Sequence, residues 1–142
     1  MRIRLLMLRK TRRPELRAIL EDYVKRISRH SAIEITEVRD ASAALKKLDA
    51  DRATTVILLD ASGKSLDSDT FAKWLGEHRN RGTRELIFLC GDADGFPDLL
   101  RQRAQQKLSL SALTFSHELA RVMLAEQLYR AFAILAGSPY PK

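Results

Sequence analysis

The sequence predicts an α/β domain built on a mainly parallel sheet of five to six strands flanked by helices, and three observations carry that prediction. Residues 54–59 (TTVILL) and 85–90 (ELIFLC) are aliphatic runs without polar alternation, as in strands buried on both faces. Between the extended runs lie segments whose apolar residues recur at helical spacing, the alternation that builds a parallel sheet. The chain has 142 residues, 45% of them hydrophobic, enough for one domain with one adequate core. No repeat, low-complexity tract or linker divides it, so residues 1–142 are read as a single domain.

Residues 2–8 read as the first strand, and the basic cluster Arg9, Lys10, Arg12 and Arg13 follows it. Pro14 stands where a proline opens a helix, and Leu16, Ile19, Leu20, Tyr23, Val24 and Ile27 give that helix its apolar spacing to about residue 29. Residues 32–38 form a strand and 42–48 a short helix with Leu45 and Leu48 inward. The central strand 54–59 gives way to a polar turn over 60–65. Asp67 or Ser68 caps a helix carrying Phe71, Trp74 and Leu75. The strand 85–90 leads into a glycine loop at 91–96, and Pro97 opens a short helix.

The closing segment 107–142 starts with the alternating run Leu108-Ser109-Leu110-Ser111 and ends in a long helix over 118–136. That helix has two apolar stripes, Leu119, Val122, Tyr129 and Phe132 on one side and Leu124, Leu128, Ala131 and Leu135 on the other. One stripe faces the chain's own core and a second needs a second partner, so the expectation is a face for another chain, centred on Leu124.

Composition narrows the function classes. The net charge of +7, from 25 Lys+Arg against 18 Asp+Glu, and a pI of about 9.9 favour a nucleic-acid partner, with simple solubility as the plain alternative. A single cysteine, Cys90, excludes an intramolecular disulfide and reads as a buried small hydrophobe. His30, His78 and His117 lie far apart, and no Cys or His set has metal-ligand spacing, so no metal is expected. No apolar run approaches the roughly 20 residues that span a bilayer, and the apolar start is too short for a signal peptide. No membrane partner and a cytoplasmic location are therefore expected.

Three loops fall at the carboxyl ends of the predicted strands, at 60–64, 91–96 and 111–115, where open α/β sheets bind ligands. Gly91-x-x-x-Gly95 is neither a dinucleotide fingerprint nor a phosphate loop, and a tight turn explains both glycines as well. Asp92 and Asp94 there suit a cationic ligand or ribose hydroxyls and would repel a phosphate. Asp60, at the end of a central strand, suggests a phospho-acceptor. The acidic pair such a site needs is replaced by Arg9-Lys10, which leaves a turn aspartate. Ser109, Ser111, Thr114 and Ser116 lack a nucleophile elbow and most simply satisfy nearby backbone groups. His117 reads as a first-turn helix residue or a contact to a base or phosphate, and Glu126 with Arg130 as a helix-surface pair.

The closing segment carries a resemblance. Leu108-Ser-Leu-Ser-Ala-Leu-Thr-Phe-Ser-His117, followed by Ala120-Arg-Val-Met-Leu-Ala-Glu-Gln-Leu-Tyr-Arg-Ala131, closely resembles the RlmH family, the ribosomal RNA large-subunit methyltransferases of the SPOUT or α/β-knot superfamily. Leu58-Leu59-Asp60-x-x-Gly63-Lys64, the loop 91–96 and Tyr23-Val-Lys-Arg26 match it too, so the resemblance spans essentially the whole chain. It implies a C-terminal trefoil knot, an S-adenosylmethionine pocket, a homodimer with RNA bound across both subunits, and methyl transfer to N3 of a pseudouridine in 23S rRNA on the assembled ribosome. The implied cofactor contacts are Leu59, the loop with Gly91, Asp92 and Gly95, and the run Leu110, Ser111, Ala112, Leu113, Thr114 and Phe115. His117 is the candidate to assist loss of the N3 proton, with Arg121, Arg130 and Tyr140 orienting the base or its phosphate. The chain departs from the family at Asp92, where a second glycine is usual. It departs again at Ser138-Pro139-Tyr140-Pro141-Lys142, where the family has two histidines, and at residues 40–51, which are shorter here. Two other readings stay open: a knotted RNA-binding protein whose catalysis has decayed, and a methyltransferase of the same class on another RNA.

Overall fold

The computed structural model describes residues 1–48 and 54–140. Its elements run β1 (Arg2–Leu8), α1 (Pro14–Ile27), β2 (Ala32–Val38), α2 (Ala41–Lys47), β3 (Thr54–Ser65), α3 (Ser68–Asn80), β4 (Glu85–Cys90), α4 (Asp98–Arg103), β5 (Gln106–Ser109) and α5 (His117–Leu135). The strands form one sheet in the order β2-β1-β4-β3-β5, with every neighbouring pair parallel. The aliphatic run of β4 therefore lies at the centre, covered on both faces, which is why it shows no alternation.

Local chemistry sets the helix starts. Pro14 occupies the first turn of α1, and the side chains of Asp40, Asp67 and Ser116 accept from the N–H groups of Ala43, Thr70 and Leu119 to cap α2, α3 and α5. Ile3, Leu5, Met7, Ile57, Phe88 and Leu108 pack beneath α1, α3 and α5 on one face of the sheet. Leu6, Leu8, Val56, Leu58, Ile87 and Leu89 meet Ala44, Leu48 and Leu100 on the other. The result is three layers about one sheet.

Two expectations need correction. The stripe Leu124, Leu128 and Ala131 is fully buried inside this chain and is no face for another. The reason is the place of α5, which packs against both α1 and α3 with the sheet beneath it. Tyr129 and Phe132 meet Tyr23 and His30 on the α1 side, while Leu135 lies against Gly76 of α3. Apart from Leu119, both stripes are thus used at home, and the outward row of α5 is Leu119, Met123, Gln127, Arg130 and Ile134, with Leu119 and Met123 each 41% exposed. Residues 60–65, expected as a turn, continue β3. After a bulge, Lys64 and Ser65 pair with Leu108 and Ser109 of β5, and Gly63 lies so close that a Cβ there would stand 2.6 Å from the Lys107 carbonyl carbon. Pro141 and Lys142 of the altered tail, and residues 49–51 of the shortened segment, lie outside the described residues.

Candidate active site

The carboxyl ends of β4 and β5 and the bulged middle of β3 open into one cavity of about 470 Å³, within the usual size of a small-ligand pocket. Within β3, where its bulge begins, it is lined by Leu59, Asp60 and Ala61, and after β4 by Gly91, Asp92, Ala93, Gly95 and Phe96. After β5 come Leu110, Ser111, Leu113, Thr114 and Phe115, with Ser116, His117 and Ala120 at the start of α5. Every residue expected at a cofactor lies on this lining except Ala112, which is exposed. The loop over 110–115 is shaped by its own hydroxyls: Ser109 donates to the Ser111 carbonyl at 2.9 Å, and Ser111 Oγ accepts from the Leu113 N–H at 3.0 Å. These serines are thus structural acceptors and donors, as the plainer reading had them.

The glycine loop is tightly set. A Cβ on Gly91 would come within 3.3 Å of the Phe96 ring, and Gly95 adopts φ +77, where glycine is favoured. Asp92 holds the turn together. Its carbonyl accepts from the Gly95 N–H at 3.1 Å, one carboxylate oxygen accepts from the Asp94 N–H at 2.9 Å, and the other pairs with Arg9 Nε at 3.2 Å. Arg9 reaches it from an unusual backbone, φ 68 at a non-glycine residue. The side chain that replaces a second glycine is therefore anchored to the end of β1.

Among the groups lining the cavity, most are committed. Asp60 accepts from Ser62 at 2.6 Å and pairs with Arg101 at 2.8 Å. The Ser62 bond, then Arg101 and Lys107, hold its carboxyl below the usual range. Cys90 is buried, and burial pushes its thiol up to about 12, far from a reactive thiolate. His117 stands half-buried with Nε2 3.8 Å from Glu118. Glu118 accepts from the Arg13 N–H at 3.0 Å. Burial raises its pKa, but the backbone N–H groups of Arg13 and Arg12, with His117 and Arg121, outweigh that and leave it lowered.

Arg121 does not reach the cavity as a substrate contact. It is completely buried, and its guanidinium donates to the carbonyls of Leu8, Arg9 and Gly91 and to Thr11 Oγ1 at 2.6 to 3.2 Å. Four of its N–H groups are spent on internal acceptors and the fifth, on Nε, is buried, so its expected role as a nucleotide contact is replaced by a structural one. Arg130 and Tyr140 also lie apart from His117. Arg130 is 13 residues further along α5, about 20 Å at the rise of a helix, and Tyr140, beyond the helix end, is held beside Tyr129. Both converge on Glu126, which pairs with Arg130 at 2.7 Å and accepts from the Tyr140 hydroxyl at 2.6 Å. Tyr23 and Tyr129 complete that cluster.

The sequence reading had not assigned Phe96, Ser116 or Ala120 to the site. Ala120 was within reach of it, since a residue three positions after His117 shares its helix face. Phe96 enters only because Gly91 leaves space for its ring. Among the described residues no cluster of three or more His, Cys, Asp or Glu side chains is placed to hold a metal, and no helix is long and apolar enough to cross a membrane.

Comparison with known proteins places this geometry. A family described as "Predicted SPOUT methyltransferase" matches residues 1–141. Ribosomal RNA large subunit methyltransferase H of Pelobacter propionicus is 39% identical over 151 residues, covering 99% of both chains. Its namesake in Koribacter versatilis is 39% identical over 142 residues, covering 99% of this chain and 97% of its own. Among solved structures, the SpoU methyltransferase AviRb of Streptomyces viridochromogenes, in complex with AdoMet, has a TM-score of 0.59 at 15% identity. It is matched over 96% of this chain, which spans 59% of AviRb. A probable methylase family protein from Haemophilus influenzae has a TM-score of 0.64 at 11% identity, over 99% of this chain and 70% of its own. These two likenesses concern the fold.

Proposed function

Because the chain belongs to the RlmH family of SPOUT methyltransferases, we propose that it transfers the methyl group of S-adenosylmethionine to N3 of a pseudouridine in 23S rRNA of the large ribosomal subunit. The observation that carries this reading is one cavity, at the ends of β4 and β5 and the bulge of β3, that gathers Leu59, the 91–96 loop and the 110–115 run.

The lining fits that cofactor. Leu59, Phe96, Leu110, Leu113 and Phe115 offer apolar walls for a purine, and the 110–115 backbone offers amide and carbonyl groups for its edge. Gly91 leaves the strand end uncrowded, and the Asp92 carboxylate, shared with Arg9, is a compatible neighbour for a cationic ligand. When bound, S-adenosylmethionine supplies a methyl group activated on a sulfonium. The protein's part is then to align two partners and exclude water, which needs no nucleophilic triad. The N3 proton must leave, and His117 is the lining group left to receive it. Asp60 is held by Arg101, Asp92 by Arg9, and Cys90 is too weak an acid.

The same reading includes a homodimer. The outward row of α5, with Leu119 and Met123, continues to Leu113, 73% exposed at the cavity mouth. A two-fold axis across the middle of α5 sets the Arg130 end of one helix beside the His117 end of its partner. Arg130 and Tyr140 then serve the neighbouring site rather than their own. Lys10 and Arg12, next to the backbone held by Glu118, supply cations for the RNA backbone at the rim. The strand-like return of 60–65 over β5 supports the trefoil knot expected of this half.

Two measurements test the proposal. Calorimetry with S-adenosylmethionine is expected to give one site per chain, and no binding to a well-folded protein sinks the enzyme reading. Expression in cells lacking the family enzyme is expected to restore methylated pseudouridine in 23S rRNA by mass spectrometry. Cofactor binding without that product would instead point to a different RNA or to lost catalysis.

A further inference from the structure

Arg121 is costly to bury. A fully desolvated guanidinium is replaced without loss by an apolar side chain in many cores, so its partners explain its presence. Here the partners are not a carboxylate but strand ends. Nη2 donates to Leu8 O at 2.6 Å and to Gly91 O at 3.2 Å. Nη1 donates to Arg9 O at 3.1 Å and Thr11 Oγ1 at 3.0 Å, while Nε, also buried, has no partner. One fork on α5 therefore joins the end of β1 to the first residue of the glycine loop after β4. Gly91 is fixed from a second direction by the Phe96 ring, 3.3 Å from where a Cβ would stand. Arg9, whose carbonyl Arg121 holds in a positive-φ backbone, sends its own side chain to Asp92, the residue after Gly91. The loop is thus tied to the end of β1 twice, once by the guanidinium directly and once by Arg9, whose carbonyl the same guanidinium holds and whose N–H donates to the Val38 carbonyl at 2.7 Å.

We propose that Arg121 is a positioning residue for the cofactor, acting through the Gly91 carbonyl and the Arg9–Asp92 pair to hold the 91–95 wall of the cavity at its distance from the 110–115 loop. Arg121 touches neither substrate. This inference rests on reading the cavity as the S-adenosylmethionine site. The planar fork serves two strand ends at once, whereas a lysine donates from one point and cannot span them.

The experiment compares wild type and Arg121→Lys in the full-length protein by steady-state kinetics, calorimetry and amide hydrogen exchange. Losing a charge-assisted hydrogen bond on the loop should weaken S-adenosylmethionine binding and raise its KM by about 10-fold. The KM for RNA and kcat at saturating cofactor should stay near wild type. Without cofactor, exchange at the Asp94 and Gly95 amides, both bonded within the turn to Asp92, should accelerate while β1 and β4 stay protected. A purely structural residue would lower kcat and the melting temperature together and leave the cofactor KM alone, and that result overturns the proposal. Wild-type exchange at Asp94 and Gly95 overturns it equally. If Arg121→Lys does not fold, Thr11→Val removes one acceptor, and the same exchange measurement decides. If wild type binds no S-adenosylmethionine, the reading of the cavity fails, while the exchange result still settles whether Arg121 holds the loop.

Discussion

Replacing Gly63 with alanine tests how β3 and β5 share the cavity. The new Cβ would stand 2.6 Å from the Lys107 carbonyl carbon, 2.8 Å from the Leu108 nitrogen and 2.9 Å from the Lys107 Cβ. None of these atoms ends a flexible side chain, so no rotamer relieves the clash. Restoring an ordinary contact of about 3.4 Å requires β3 and β5 to part by about 0.8 Å, and overpacking of this kind costs about 1–3 kcal/mol. With about 2.1 cal/mol/K of unfolding entropy per residue, 142 residues give about 0.3 kcal/mol/K, so the melting temperature should fall by about 3–10 °C. The displaced strand leads directly into the 110–115 loop, and cofactor affinity should fall by about tenfold with it, the equivalent of about 1.4 kcal/mol. Gly82→Ala is the control. It has φ +80 and nothing within 4 Å of its would-be Cβ, so it should cost about 1–2 kcal/mol of backbone strain and leave affinity unchanged. Scanning calorimetry and titration calorimetry give both numbers. A Gly63→Ala protein melting within about 1 °C of wild type refutes the steric argument. One that melts low yet binds like wild type refutes the link between this contact and the cavity.

The remaining predictions concern α5 and the basic rim. Met123→Arg should yield a folded monomer by light scattering, whereas Leu124→Arg, which places a charge at a fully buried position, should fail to fold. A dimeric Met123→Arg protein removes the outward row from the interface. Glu118 has a lowered pKa, so it contributes stability that is present above the ordinary glutamate range and lost as pH falls through its folded value. Glu118→Gln should therefore flatten the decline of melting temperature with acidification, and an unchanged decline would contradict the burial and bonding described for that carboxylate. Lys10→Ala with Arg12→Ala should reduce the slope of log affinity for RNA against log salt by about 1.4, at about 0.7 for each lost contact to single-stranded phosphate. An unchanged slope removes both side chains from the RNA path.

What the sequence disclosed depended on whether the cause was local. The strands at 2–8, 32–38 and 85–90 were legible because their residue types fit one environment over the whole run, and the cap at Asp67 because a cap needs only its own first turn. The extension of β3 through residue 65 was not. Residues 60–65 are polar and contain glycine, and they are strand-like only because β5, more than forty residues later, lies alongside. The cavity was legible as three strand-end loops, but the ion pairs that commit Asp60 and Asp92 come from Arg101 and Arg9, whose proximity is set by tertiary structure. Those pairs narrow the titratable groups to His117, which no spacing in the sequence does.

Arg121 shows how a pattern can be present and still be misread. Its position falls in step with Leu124, Ala125, Leu128, Ala131 and Phe132, the buried face of α5. Periodicity alone therefore places it inside, whereas the family resemblance pointed it at the base or its phosphate. A charged residue in the apolar phase of a helix, whose one carboxylate on that face, Glu118 a turn earlier, is already engaged by the backbone of Arg12 and Arg13, must find neutral acceptors. The plentiful neutral acceptors in an α/β domain are the carbonyls left unpaired where parallel strands end. Those ends are also where ligands bind. An arginine at such a position is thus expected beside the binding loops, holding them from behind rather than reaching into the cavity, which is where the four bonds of Arg121 put it.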